Sequence, residues 1–408
     1  MAQTVFDWLV VGGGSAGLSV AKRATDAGHS VCVVDKSNSL DFASVRNQGW
    51  LHSGGLFCYY RDGESDVAAE CQNAKALIEQ IQSQSGMKLI DPTPGVALFK
   101  NEYQAHRWVD RSLQNGIDAR LLDPGACDDL FARYGRSDYH NFAVELQDCA
   151  VDNAGFLNAL SQLCVKSGVV FGIEPYLFDL GALTQPSSKD YWSLEVSGNQ
   201  YRGTNAVICL GVLGPAFLEK NLGTRIRHRV TNSYVMAIDG LKVDRLIISP
   251  NPETKSLNIS PYSTGTTVNC GSLDQHSEVD RESAVDLSRE VETIQHLSYN
   301  WPKISGARPT YSSYVCQKLE VTEADISVEE KRKYFIREIY SGLHFFYPGK
   351  FTTALLGARS LIERTSNITL GFNKLSQGVS NTSEAGGFEY SHPGRRLVSD
   401  RRLDDFSI

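Results

Sequence analysis

No apolar run in this 408-residue chain approaches the length of about 18 residues that a membrane-crossing helix needs, which excludes a spanning segment from the sequence reading. An excess of positive charge is missing too. Lys and Arg number 40 against 47 Asp and Glu, and a formal net charge of -7 argues against a general nucleic-acid binder. The 9 cysteines are odd in number, form no C-x-x-C pair and cluster with no histidine. That excludes a zinc site of the usual spacing and any metal site built on it, and it suits reduced thiols in a cytoplasmic protein better than disulfides. No basic segment precedes the first apolar run, so the N-terminus reads poorly as a signal peptide. There is no internal repeat and no low-complexity block.

What is present is a globular composition, 41% hydrophobic and 21% charged, long enough for two domains or for one large domain carrying an inserted lobe. Its organising stretch is Asp7 to Arg23. A short apolar run, Trp8 to Val11, reads as a buried strand and breaks into Gly12, Gly14 and Gly17 at G-x-G-x-x-G spacing. A helix follows from about Ala16, and His29 to Val34 reads as a second buried strand that ends on Asp35. This is the order of a dinucleotide-binding unit. Gly12 permits the tight turn, Gly14 lets the backbone approach a pyrophosphate, and Gly17 lets helix and strand pack closely. The N–H groups around Ser15 and Ala16, at the positive end of the helix, then face the phosphates. Asp35, followed by Lys36, stands about 20 residues beyond Gly14, where a carboxylate accepts from a ribose. The competing reading is a glycine-rich turn without ligand.

Further along, Phe42 to Tyr60 is dense in Gly, polar and aromatic residues, neither helical nor strand-like in period, and reads as a functional loop. Residues 66–85 carry an amphipathic helix with Val67, Cys71, Ala74, Leu77, Ile78 and Ile81 on one face. From about 88 to 145 the pattern changes to the first part of a substrate-facing lobe, with a strand at Val96 to Phe99 and a helix at Glu102 to Asn115, followed by Leu121 to Pro124 and the tyrosine-rich Tyr134 to Phe142. Asp152 to Ser167 reads as a helix with Asn153 a candidate cap, and Trp192 to Tyr201 as a hairpin turning at Gly198-Asn199. Asn205 to Pro215 reads as another strand of the nucleotide sheet, with its turn, at Gly211, beneath the ligand. Strands then recur near Tyr234 to Ile238 and Leu246 to Ile248, with a helix near Ser283 to Leu297. Ser305 to Tyr314 reads as a second polar–aromatic loop, and Tyr347 to Thr353 as a third that opens a helix running from Ala354 to about Arg364. Residues 373–408 read as a weakly ordered tail.

The Gly12–Asp35 unit, the loop Ser44-Val-Arg-Asn-Gln-Gly-Trp-Leu-His-Ser-Gly-Gly-Leu56 and Pro348-Gly-Lys-Phe-Thr-Thr353 occur in an order that resembles the FAD-dependent oxidoreductases of the D-amino-acid oxidase superfamily. The middle loop is similar to those of L-2-hydroxyglutarate dehydrogenase and FAD-linked glycerol-3-phosphate dehydrogenase, and Ala307-Arg308-Pro309 sits where the family often carries Gly-x-Arg-Pro. The run Pro348-Gly-Lys350 departs from the Gly-Gly-Lys of the glycerol-3-phosphate enzymes, and the substrate-lobe motifs of either dehydrogenase are not evident.

The resemblance implies an α/β fold in which a Rossmann-like FAD-binding domain (1–89, 146–225 and 306–372) carries an inserted, mixed-sheet α+β substrate domain (90–145 and 226–305). It implies FAD, held non-covalently because the neighbours of Cys316 do not match those of cysteine-linked relatives. Ser44, Arg46 and Asn47 would lie along the cofactor. Gly349, Lys350, Phe351, Thr352 and Thr353 would offer N–H groups and a positive charge where reduced flavin gathers negative charge. A plain N-cap by Thr352 or Thr353 is compatible with that role.

His52 is then a candidate base or substrate ligand, or else a packed residue. Arg308 is a candidate anchor for a substrate anion, or else a lobe-joining ion-pair residue. His344 is a candidate for the same cavity, and Tyr311 and Tyr314 for pocket wall or core. The implied activity is removal of hydride from a CH–OH or CH–NH carbon of a small polar, anionic, 2-hydroxy-acid-like substrate, with electrons passed to oxygen or another acceptor. The alternatives are an amino-acid or secondary-amine oxidase of the same superfamily, and a flavin-binding protein without redox turnover.

Overall fold

The apolar runs that border the glycine turns become the centre of a parallel sheet. The computed structural model describes residues 4–36, 43–60, 65–134, 140–185, 190–241, 243–249, 257–262, 265–276, 287–300, 311–322 and 334–369. Val5–Val11 pairs in parallel with Val31–Asp35 on one side and Asn199–Ile208 on the other. Val170–Ile173 and Leu343–Tyr347 extend the parallel core outward, and Phe335–Tyr340 and Trp192–Val196 add antiparallel strands. Both faces are covered, which is why these strands read as unbroken apolar runs rather than alternating ones. Trp8 and Val10 pack on one side with Leu18, Phe156, Leu160 and Leu361, from the helices Ser15–Asp26, Asn153–Lys166 and Ala354–Thr369. Leu9 and Val11 pack on the other side with Trp192, Leu194 and Phe217.

A second sheet runs in the order Tyr311–Val321, His228–Asp239, Gly265–His276, Leu257–Pro261, Ile247–Ser249, Gly95–Phe99, Phe142–Leu146, Ala119–Leu121. It is mixed, because Ile247–Ser249 lies parallel to Gly95–Phe99 while the other pairs are antiparallel. One boundary differs from expectation. The sequence reading assigns Tyr311–Val321 to the nucleotide unit, yet this strand pairs along its whole length with His228–Asp239. Tyr311–Val321 is therefore a strand of the second sheet. Tyr311 and Tyr314 are strand residues buried in that sheet rather than members of a loop.

Other local departures have local causes. Phe42 to Tyr60 is not one irregular loop: helices Ala43–Arg46 and Gly55–Tyr60 flank a short strand, Trp50–Leu51, that pairs with Cys149–Ala150. The stretch after Leu121 is helical over Pro124–Tyr134, started by Asp123, whose side chain accepts from the Ala126 N–H at 2.9 Å. Asp152, not Asn153, caps the helix Asn153–Lys166 by accepting from Gly155 N–H at 2.9 Å, and the Asn153 amide instead reaches the Asn47 carbonyl at 3.0 Å. The hairpin turns at Ser197 and Gly198, both at positive φ as a two-residue turn of this hand requires, and Asn199 already pairs with Val196. The tail beyond 369 and Arg308 lie outside the described residues. No helix among the described residues is long and apolar enough to cross a membrane.

The two sheets meet along Gln48 and Gly49. Thr267 Oγ1 donates to the Gln48 carbonyl at 3.2 Å and Ser260 Oγ to the Gly49 carbonyl at 3.3 Å. The segment that follows the glycine turn in sequence thus forms the seam between the lobes.

Candidate active site at the seam of the sheets

The glycine turn is built on close approach. Gly12 has φ +110, and a Cβ there would lie 2.6 Å from the Cys209 carbonyl oxygen. A Cβ on Gly17 would lie 1.8 Å from the Gly12 carbonyl oxygen, so helix and strand touch through this pair. The helix Ser15–Asp26 starts from Gly14 with no capping side chain of its own and no acid in its first turn. Ser44 serves the Ser15 N–H at 3.0 Å, and Asp35 accepts from the Gly13 N–H. What remains is a positively polarised helix end facing a cavity, the arrangement that receives phosphate oxygens.

The seam segment brings the next groups. Asn47 closes the helix Ala43–Arg46 by donating to Ser44 O at 2.8 Å and accepts from Gly49 N–H at 3.0 Å. Arg46 reaches the Val315 carbonyl at 3.5 Å through one terminal nitrogen, while its Nε is buried without a partner among the described residues. His52 is clamped between rings, 4.4 Å from Trp50 and 5.2 Å from Phe57 between centroids, with only 14% of its side chain exposed. Beneath it lies Asp148, fully buried, which accepts from Trp50 Nε1 at 2.8 Å, from Ser53 N–H at 2.5 Å and from the Ser53 hydroxyl. Its nearer oxygen stands 3.9 Å from His52 Nδ1. Burial first, then the charges of Lys350 and Lys318, hold the His52 imidazole well below its ordinary pKa, so it is neutral at physiological pH. Burial raises the Asp148 carboxyl, opposed by its Ser53 and Trp50 donors.

The third segment, Pro348 to Thr353, turns through Gly349 at φ +68. Thr352 ties it to the seam, donating to the Trp50 carbonyl and accepting from the His52 N–H, both at 3.4 Å. Thr353 faces its own turn, donating to Pro348 O at 2.6 Å. The Lys350 N–H is also used inside the turn, on Pro348 O at 2.6 Å, and its ammonium sits 4.5 Å over the Phe57 ring.

These segments enclose one elongated cavity. Of the residues expected from sequence, Gly12, Gly14, Ser15, Ala16, Asp35, Ser44, Arg46, Asn47, His52, Gly211, Gly349, Lys350, Phe351 and Thr352 line it. Gly17, Lys36 and Thr353 do not line it. His344 does not reach it: strand Leu343–Tyr347 turns His344 toward Trp8, 5.9 Å between ring centroids, and gives the cavity Tyr347 instead. Burial lowers the His344 pKa.

Sequence reasoning passed over Trp50 and Asp148, and over the wall from the second sheet, Ser233, Asn269, Gln317 and Lys318. A tryptophan beside Gly49 was a visible signal for the first. For the others no local signal exists. The lining fits an extended, doubly anionic dinucleotide. One end offers an open helix terminus and an acid for a ribose, and the lining includes Arg46, whose Nε is buried with no partner among the described residues.

A nucleotide-binding parallel sheet joined to a mixed sheet, with basic groups and a neutral imidazole at the seam, defines a dinucleotide-dependent redox enzyme. The family model described as FAD dependent oxidoreductase (DAO) matches residues 7–362, and the chain belongs to that family; it is an FAD-dependent oxidoreductase. One similar protein is the A1 component of the anaerobic glycerol-3-phosphate dehydrogenase of Haloferax volcanii. It is 22% identical over 384 residues, covering 86% of this chain and 62% of that protein. The chain therefore spans less than two thirds of this relative. The corresponding component of the Escherichia coli K12 anaerobic glycerol-3-phosphate dehydrogenase is 29% identical over 122 residues, 29% of this chain and 21% of that protein. Among solved structures, glycine oxidase from Geobacillus kaustophilus superposes with a TM-score of 0.70 at 15% identity, over 90% of this chain and 95% of that one. Iminodiacetate oxidase from Chelativorans sp. BNC1 gives 0.70 at 14% identity, over 88% and 95%.

Proposed function

We propose that the chain removes hydride from a CH–OH carbon of a small polar anion, of the 2-hydroxy-acid or polyol-phosphate kind, and passes the electrons to oxygen or another acceptor. The observation that carries this reading is the cavity itself, where a neutral, buried imidazole feels the charges of Lys350 and Lys318 and shares the lining with Arg46. FAD, when bound, supplies the hydride acceptor. Ser15 and Ala16, with Gly12 to Gly14, bind phosphate, and Asp35 accepts a ribose hydroxyl. Neutral His52 takes the substrate's hydroxyl proton at a ring nitrogen, its ring held by Trp50 and Phe57. Lys350 favours negative charge beside it. The dehydrogenase relatives act, by name, on an anionic alcohol, which agrees with a CH–OH centre beside a cation.

FAD is proposed to be held non-covalently, since burial raises the Cys316 thiol away from the reactive thiolate. The cytoplasm is the proposed location, since the cysteines among the described residues whose state is defined are buried and unpaired.

A second reading, an amino-acid or secondary-amine oxidase, is favoured by the glycine and iminodiacetate oxidases that share the fold. Anaerobic mixing of the FAD-loaded protein with 2-hydroxy acids, polyol phosphates, amino acids and secondary amines separates the two. Bleaching of the flavin by the first two groups is expected. Bleaching by amines alone would install the second reading, and bleaching by none would overturn both.

A further inference from the structure

The register of a short strand pair sets two ionisable side chains face to face at the cavity's edge. Trp50 lies opposite Ala150 and Leu51 opposite Cys149, so the next step of the same antiparallel ladder puts His52 opposite Asp148. The two have different surroundings. His52 lines the cavity, whereas Asp148 is fully buried and does not. Asp148 Oδ1 accepts from the Ser53 N–H and hydroxyl, and Oδ2 accepts from Trp50 Nε1. Three hydrogens point at this carboxyl group. The indole and the amide cannot accept one in return, so the site is built for the ionised form.

The oxygen that serves Trp50 also stands 3.9 Å from His52 Nδ1. That separation is too long for a hydrogen bond and within the reach of an ion pair. Nδ1 is buried by protein atoms alone and takes no hydrogen bond among the described residues, so neither cofactor nor substrate is its partner. A carboxylate repels a lone pair on Nδ1 and attracts a hydrogen there. The uncharged ring therefore keeps its hydrogen on Nδ1. Its lone pair is left on Nε2, the nitrogen that remains for the cavity.

We propose that Asp148 is the positioning residue of the base: from outside the cavity it fixes the hydrogen of His52 on Nδ1 and so presents the Nε2 lone pair to the substrate. The inference rests on the hydride-transfer reading above, which makes His52 the base. When the substrate's O–H bond breaks, its proton forms an N–H bond at Nε2. The positive ring then faces a carboxylate through Nδ1–H, while Asp148 itself takes no proton and touches no substrate. This role is distinct from support of the turn, because an anchor for Trp50 and Ser53 alone would leave the tautomer of His52 open.

NMR of the FAD-loaded, oxidised protein with isotope-labelled histidine ring nitrogens reads the tautomer at neutral pH, and His52→Gln identifies the signal. The hydrogen is expected on Nδ1. A wild-type ring with its hydrogen on Nε2 overturns the proposal, and that measurement needs no Asp148 variant to fold. In Asp148→Asn the amide oxygen serves the two Ser53 donors, which leaves the amide nitrogen facing the ring. It donates to Nδ1 and moves the ring hydrogen to Nε2. The limiting rate of anaerobic flavin reduction, with lactate, malate and a glycerol phosphate as probes, should then fall about a hundredfold or more. The probe's dissociation constant, from the same titration, should stay near wild type.

A folded Asp148→Asn that keeps the wild-type tautomer overturns the proposal, and so does one that changes tautomer yet reduces at the wild-type rate. The two readings also fail differently. If the wild type shows the expected tautomer and no probe alcohol bleaches its flavin, the hydride-transfer reading falls and takes the base with it. The opposite tautomer in a protein that the alcohols do reduce defeats this inference alone.

Discussion

Removing the Asp148 carboxylate tests whether the turn that carries His52 is held from below. Asp148 is fully buried and accepts from Trp50 Nε1, Ser53 N–H and Ser53 Oγ, both donor residues being buried themselves. In Asp148→Ala the serine hydroxyl can rotate toward another acceptor, but the indole and the amide N–H cannot. Each buried donor left unsatisfied costs about 1–3 kcal/mol, so the variant should lose roughly 2–6 kcal/mol of stability. Asp148→Asn keeps an acceptor for Ser53 and turns its amide toward the indole and the imidazole, so about 1–3 kcal/mol is expected.

The pH dependence carries a sign. Burial holds the Asp148 carboxyl above its unfolded pKa. The native state therefore keeps a proton that the unfolded chain has released, and this contribution to stability, full below about pH 4, is lost as pH rises through the folded value. Asp148→Asn should flatten that part of the profile. Urea unfolding of the apoprotein at several pH values measures both effects, and anaerobic flavin reduction reads His52 separately. An Asp148→Ala variant within about 0.5 kcal/mol of wild type, with unaltered reduction kinetics, would refute the idea that this carboxylate positions the turn.

Three further perturbations address the glycine turn, the base and the flavin-facing cation. Gly17→Ala places a Cβ 1.8 Å from the Gly12 carbonyl oxygen, so helix and strand must part; lower FAD content and a lower Tm are expected, and full occupancy would remove Gly17 from the contact. His52→Ala should mainly slow flavin reduction. Because burial, Lys350 and Lys318 depress the imidazole pKa, the second-order reduction constant of wild type should stay level as pH falls past about 6.5 and drop only in more acid buffer. A midpoint at or above 6.5 contradicts the neutral, buried base. The depressed pKa also contributes stability present above the unfolded value and lost as pH falls through the folded one. Lys350→Met should lower the flavin reduction potential by about 20–45 mV, which corresponds to roughly 1–2 kcal/mol of lost charge stabilisation in a two-electron couple. A potential equal to or above wild type, with FAD bound, would place Lys350 away from the ring.

The nucleotide end was legible because its logic is local. Gly12, Gly14, Gly17 and Asp35 lie within one strand–helix–strand unit, and the contact of Gly17 with the Gly12 carbonyl follows from that unit alone, although Gly12 also meets Cys209 and Gly14 meets Ser44 from outside it. The opposite wall was not legible. Asp148 meets Ser53 across 95 residues of sequence, and only the pairing of Trp50–Leu51 with Cys149–Ala150 brings them together. Lys318 faces the seam because Tyr311–Val321 joins the second sheet, a pairing that the polar–aromatic composition of residues 305–314 does not announce. His344 illustrates the period of a strand. Its nearness in sequence to Tyr347 suggested a shared cavity, but alternate residues of Leu343–Tyr347 face opposite sides, and His344 shares a side with Phe346 and Trp8.

The division between the legible and the hidden parts follows the division of labour in the molecule. On the proposed reading the cofactor's phosphates and ribose are met at the C-terminal ends of parallel strands, where Val11, Ile208 and Tyr347 each lead into a turn that borders the cavity and Asp35 itself lines it. Those ends must keep one geometry whatever the substrate, so their residue types are constrained and recur as motifs. The second sheet supplies Ser233, Asn269, Gln317 and Lys318 from strands whose backbone pairing tolerates almost any side chain. On the proposed reading, substitution there changes what the cavity holds without disturbing the glycine turn at the other end. It follows that exchanging these four residues should move substrate preference while leaving cofactor affinity in place, whereas changes at Gly12, Gly17 or Asp35 should do the reverse.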